Sequence, residues 1–107
     1  MQRFLFIASY SSDGVKGIVS QGGSARRDAI STSAEKLGGR LLSFDFAFGD
    51  ADVYTLVELP DQKAAAALSM AVNAIGLTKV KVVVLLSPED IDEATQRPVT
   101  YVAPGRS

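Results

Sequence analysis

The chain has 107 residues, 47% hydrophobic and 21% charged, with 11 basic against 12 acidic residues and a net charge of −1. That length supports one domain with a genuine core, and the charge balance argues against nucleic acid as a partner, which demands a dense Lys/Arg face. Histidine and cysteine are both absent, which excludes Ser-His-Asp triads, thiol nucleophiles and haem or iron–sulfur groups held by His or Cys. Zinc loses its usual ligands as well; only oxygen-ligated Mg²⁺ or Ca²⁺ stays open as a metal, and no cofactor is expected.

Phe4-Leu5-Phe6-Ile7-Ala8 is the longest apolar run near the start. It is shorter than a signal-peptide core of about 7–15 apolar residues. Nothing approaches the roughly 20 apolar residues of a membrane span. The expectation is a cytoplasmic protein with no membrane partner.

Arg3 to Tyr10 alternates as a strand, with Phe4, Phe6, Ala8 and Tyr10 on one side and Leu5, Ile7 and Ser9 on the other. Gly14 to Ser20 reads as a short helical turn, weakened by its glycines. Ser24 suits an N-cap, and Ala25 to Leu37 reads as a helix in which Ile30, Ala34 and Leu37 form one apolar stripe. Gly38-Gly39 supplies a left-handed C-cap.

Arg40 to Phe48 is the second expected strand, with Leu42, Phe44, Phe46 and Phe48 sharing a face. A short Gly/Asp turn leads into a third, Asp52 to Leu59, which predicts an antiparallel hairpin. Pro60 ends that strand and Asp61 caps a helix from Gln62 to Ile75, closed by Gly76. Its expected buried stripe is Ala64, Leu68, Ala71, Val72 and Ile75. Thr78 to Leu86 is a fourth strand, followed by a short acidic helix over Pro88–Thr95 with Ser87 as its cap. Residues 1–95 thus form the domain, and 96–107 form a tail in which Val99 to Val102 has strand character.

The order β-α-β-β-α-β is the ferredoxin-like arrangement, an α+β sandwich with an antiparallel sheet. Two helices cover one face of four strands. The other face carries Leu5, Ile7, Val83 and Leu85, an apolar patch larger than a soluble monomer normally exposes. The expected partner is therefore a second copy of the chain, in a homodimer or higher even oligomer built as a dimeric α/β barrel.

Four stretches carry a family resemblance: Tyr10-Ser11-Ser12-Asp13-Gly14-Val15-Lys16-Gly17-Ile18, Ala34-Glu35-Lys36-Leu37-Gly38-Gly39, Phe48-Gly49-Asp50-Ala51-Asp52-Val53, and Pro60-Asp61 before an alanine-rich helix. In their order and spacing, over about residues 3 to 94, the chain resembles the GYD-domain family of small bacterial and archaeal proteins. The family is named for a hairpin Gly-x-Tyr-Asp. This chain has Gly49 and Asp52, with Ala51 where the tyrosine would stand. The resemblance implies the dimeric ferredoxin-like fold and no particular activity.

Candidate ligand-binding residues are Tyr10, Phe44, Phe46, Phe48, Asp52 and Tyr54: aromatics to line an apolar pocket and a few polar groups to orient a small molecule. Plain core or interface packing is the competing reading for the aromatics. Asp45 and Asp52 flank the hairpin, where carboxylates near a barrel mouth could act as general bases; turn hydrogen bonding is the competing reading for Asp52, and a solvated position for Asp45. Ser24, Arg26 and Arg27 follow Gly22-Gly23 into a helix and form a candidate anion site. A solvated helix start is its rival. Glu89, Asp90, Asp92 and Glu93 lack the order and glycine of a calcium loop. The sequence favours a small homo-oligomeric ligand-binding or assembly protein. The alternative is a cofactor-independent monooxygenase or isomerase of the dimeric barrel group, without an assigned catalytic residue.

Overall fold

The computed structural model describes residues 1–47 and 49–106. Its elements are β1 (Gln2–Tyr10), α1 (Ser12–Gln21), α2 (Gly23–Lys36), β2 (Arg40–Phe46), β3 (Val53–Leu59), α3 (Gln62–Ile75), β4 (Thr78–Leu85) and α4 (Pro88–Thr95). The four strands form one sheet in the order β2-β3-β1-β4, every neighbour antiparallel. This is the expected ferredoxin-like α+β fold, extended by α1 and α4.

Alternation in the strands selects the core. Phe4, Phe6 and Ala8 of β1 and Val53, Thr55, Val57 and Leu59 of β3 point to the helix side and are buried. Ala34 of α2 and Ala65 and Leu68 of α3 close over them. Burial of each large apolar side chain is worth about 1.5–3 kcal/mol. Ile30 and Leu37 flank Ala34 as half-buried residues, so the α2 stripe is as expected. The α3 stripe is rotated slightly. Ala65, Leu68 and Val72 face the sheet with Ala64 beside them, whereas Ala71 and Ile75 are exposed. Ile75 is the last helical residue, and Gly76 turns the chain away immediately after it.

The caps explain where the helices begin. The Asp61 carboxylate accepts from the Ala64 N–H at 2.9 Å. Ser87 and Asp90 exchange side-chain-to-backbone bonds in a capping box at the start of α4. Ser11 caps α1 by accepting from the Gly14 N–H at 3.1 Å. That bond helps explain why the expected turn is a full ten-residue helix despite its glycines. Ser24 does not cap α2. The N-cap is Gly22, at φ 88°, and Ser24 lies inside the first turn. Gly38, at φ 83°, makes the left-handed exit from α2.

The expected stripe of β2 is altered by a bulge between Leu41 and Ser43. A bulge inserts one unpaired residue and flips the alternation around it. Leu41, rather than Leu42, therefore joins Phe44 and Phe46 on the helix side, packed against the core. The buried Thr55 hydroxyl donates to the Ser43 carbonyl at 2.8 Å, next to the bulge. The strand ends at Phe46, and Phe48 lies outside the described residues.

Every residue from Pro88 to Val102 is exposed, and the molecule reaches 60 Å in its longest dimension. The radius of gyration, 17.3 Å, exceeds the roughly 13 Å of a compact domain of this length. The expected strand over Val99–Val102 is not formed. Pro98 and Pro104 flank it without N–H donors, and it pairs with no strand of the sheet.

Candidate functional site

The register sets out the face of the sheet that no helix covers. One row across it reads Ser43, Leu56, Leu5, Val83; the next reads Asp45, Tyr54, Ile7, Lys81. On the other side of the leucine row lie Arg40, Glu58, Arg3 and Leu85. The face is thus apolar along its middle and charged at its margins, with Asp45 on the β2 edge and Lys79 and Lys81 on the β4 edge. Arg40 holds Glu58 by two contacts, Nε to Oε2 at 3.2 Å and a second guanidinium nitrogen to Oε1 at 3.4 Å. This hydrogen bond draws the Glu58 carboxyl below the ordinary carboxylate range.

The helix side carries two adjoining cavities, together termed the cleft. Its inner end is a narrow apolar notch of about 30 Å³ between α2, α3 and the sheet, against Phe44, Ile30, Leu68 and Val72. Its outer end opens to about 220 Å³ beside α1 and the α1–α2 junction. Tyr10, Arg26 and Thr78 line both parts and form the boundary between them, the neck. Tyr10 and Thr78 are cross-strand partners at the ends of β1 and β4.

Asp52 organises this corner through the backbone. Its carboxylate accepts from the Tyr10 N–H at 2.8 Å; its own N–H donates to the Ala8 carbonyl at 2.8 Å; its carbonyl accepts from the Ala47 N–H at 2.8 Å. The residue therefore joins the ends of three strands. Burial pushes the Tyr10 hydroxyl pKa up, the Arg26 charge pulls it down, and the Asp52 carboxylate pushes it up; the net direction is upward. Tyr10 thus presents a neutral phenol, a hydrogen-bond donor, through the neutral pH range.

That direction has a measurable consequence. In a spectrophotometric titration of the three tyrosines, one should form its phenolate later than a free tyrosine, and Tyr10→Phe should remove that component. A raised folded pKa means that the Tyr10 contribution to stability is complete below the ordinary tyrosine pKa and is lost as pH rises through the folded value. The Tyr10→Phe variant should therefore lose less stability at alkaline pH than the parent.

The expected site residues divide among three places. Tyr10 and Phe44 line the cleft, with Asp52 bonded to the backbone beside it. Phe46 meets Phe44 edge-on, ring centroids 5.4 Å apart, and lines a shallow surface recess with Ser24 and Arg27. Tyr54 lies on the opposite face of the sheet, in a recess of about 390 Å³ with Ile7, Ala51, Lys79 and Lys81. The expected anion trio is likewise divided, because Arg26 turns into the cleft while Arg27 pairs with Asp28 at 3.2 Å. The spacing missed Thr78 altogether. Only the β1–β4 register brings it beside Tyr10.

A model of the GYD domain matches residues 4–95. The chain belongs to the GYD-domain family. A search of curated proteins and of solved structures finds no match to it. In this GYD domain the hairpin position expected to carry tyrosine is Ala51, which is buried. Among the described residues no helix is long and apolar enough to cross a membrane.

Proposed function

We propose that this GYD domain is a homo-oligomeric binding module in which two sheets pair through their open faces, leaving a small-molecule cleft on the helix side of each copy. The observation that carries the reading is the open face itself. Leu5, Leu56 and Val83 form its central row, and Val83 alone leaves 41% of its surface exposed. Contiguous apolar surface rimmed by charge marks an interaction site. A face that meets its own copy must also be self-complementary. A two-fold axis running along the strands lays the β2 edge of one copy over the β4 edge of the other. Asp45 then meets Lys79 and Lys81 at both margins, with the apolar rows stacked between.

Binding fits the cleft better than catalysis does. Of the carboxylates there, Asp52 accepts a backbone N–H and holds the strand ends together, and Asp13 is exposed and paired with Lys16 at 3.8 Å.

Exchange of the edge charges tests the pairing. In native mass spectrometry, Asp45→Lys and Lys81→Glu should each dimerise several-fold more weakly than the parent. Rim charge pairs contribute roughly 0.2–1 kcal/mol each, and the symmetry places two repulsive contacts in each homodimer. A mixture of the two variants should favour the heterodimer, in which both contacts are attractive. A statistical mixture would overturn the edge-to-edge pairing, and a monomeric parent protein would overturn the homo-oligomeric part of the reading.

A further inference from the structure

We infer that the cleft between α1, α2, α3 and the sheet binds a small organic monoanion, a carboxylate bearing a short branched or linear aliphatic end. The inference rests on the ligand-binding part of the reading above and is independent of the sheet pairing.

The shape of the cleft dictates two chemically different ends. The inner notch, about 30 Å³, is lined mainly by carbon. A water needs several polar partners and roughly 10–15 Å³, so the notch has room for about two methyl-sized groups and favours them over water. The outer part, about 220 Å³, suits a solvated head group. The two meet at Tyr10, Arg26 and Thr78.

The neck determines the charge of the head. Among the described residues Arg26 is a half-buried cation with no ion pair, whereas the other cations without one, such as Arg3 and Lys79, are all exposed. A guanidinium is planar and offers paired N–H donors that match a carboxylate. Tyr10, which lines the same two cavities from β1, adds a phenol as a second donor type. Asp13 is paired with Lys16 at 3.8 Å and Asp52 accepts the Tyr10 N–H, so the one cation of the lining, Arg26, suits a single negative charge better than a phosphate dianion.

The position of Arg26 also explains why it is unpaired. Successive residues of an α-helix are turned by about 100°. Arg26 therefore faces β1 and β4, while Arg27 reaches Asp28 on the solvent side. A cation in the first helical turn opposes the helix dipole, so nothing in α2 itself favours Arg26 there. Seated at the neck, it serves a group that enters from outside.

The test uses the full-length, isotope-labelled protein and amide chemical shifts. Isobutyrate should bind saturably and move amides of Tyr10, Arg26, Thr78 and the start of α1. Arg26→Gln should weaken it at least tenfold, and Arg26→Lys should weaken it less. Val72→Phe fills the notch and should abolish isobutyrate binding while sparing acetate, which needs only the head-group site. Isobutyrate that fails to saturate, or that binds Arg26→Gln as well as the parent, overturns the inference, as does isopropyl phosphate binding more tightly. If isobutanol moves the same amides where isobutyrate does not, the cleft still binds ligands and only the anion class is wrong. If none of these probes moves the cleft, the ligand-binding reading falls with the inference.

Discussion

Replacing Gly39 with alanine should cost this fold about 3 kcal/mol or more in urea unfolding, the upper end of what overpacking does. A Cβ at this position would meet the Glu58 carbonyl and the Leu59 side chain. Neither can retreat. Leu59 is fully buried, and Glu58 pairs with Arg3 of β1 on the side away from Arg40. The expected loss is a large share of the roughly 5–15 kcal/mol that hold a domain of this kind together. Gly17→Ala is the matched control. Apart from its chain neighbours and the backbone of its own helix, nothing lies within 4 Å of the Cβ it would add, and it stands inside α1. It should stabilise by about 0.5–1 kcal/mol, the usual gain of alanine over glycine in a helix. Equal effects at the two positions would contradict the close approach of the α2–β2 turn to β3.

A second large effect should separate folding from assembly. Leu56 lies in the middle row of the open face, between Ser43 and Leu5, on the side of the sheet away from Phe4 and Val57. Leu56→Asp leaves the helix-side core untouched, so the far-UV circular dichroism should remain that of the parent. In the assembly it places unpaired carboxylates between two apolar sheets. Desolvation of an unpaired charge costs several kcal/mol, and loss of a central anchor costs 2 kcal/mol or more. Dimerisation should weaken on the order of 100-fold or more. Loss of secondary structure in this variant would mean that Leu56 belongs to the folding core of a single chain.

Much of this architecture was legible because local chemistry and long-range packing agree. β1 and β4 alternate cleanly, and Asp61, Ser87, Gly38 and Gly76 sit where helices start and stop. Reading failed where neighbouring residues were chemically alike. Leu41 and Leu42 are both leucine, so nothing local says which faces inward; the bulge decides it. Glycines at 14 and 17 argued against a full α1, yet Ser11 and the packing of Tyr10 and Leu77 against Gly14 hold the segment.

The site was less legible than the fold. Tyr10 and Asp52 are 42 residues apart, and Thr78 joins Tyr10 only through the register of β1 on β4. Tyr10 and Tyr54 are both candidate hydroxyls, and nothing in the sequence places them together; the pleat puts Tyr54 on the open face with Asp45 and Lys81. The charges of that face were present in the sequence as ordinary surface residues. Their sorting onto opposite edges emerges only from strand order, because β2 and β4 are outermost while being far apart in the chain.

The most direct measurement is sedimentation equilibrium of the unmodified protein at micromolar concentration. The expected result is a species of twice the 11.3 kDa chain mass, or a higher even multiple. A single species of chain mass throughout that range would contradict pairing through the open face and leave its leucines without a partner.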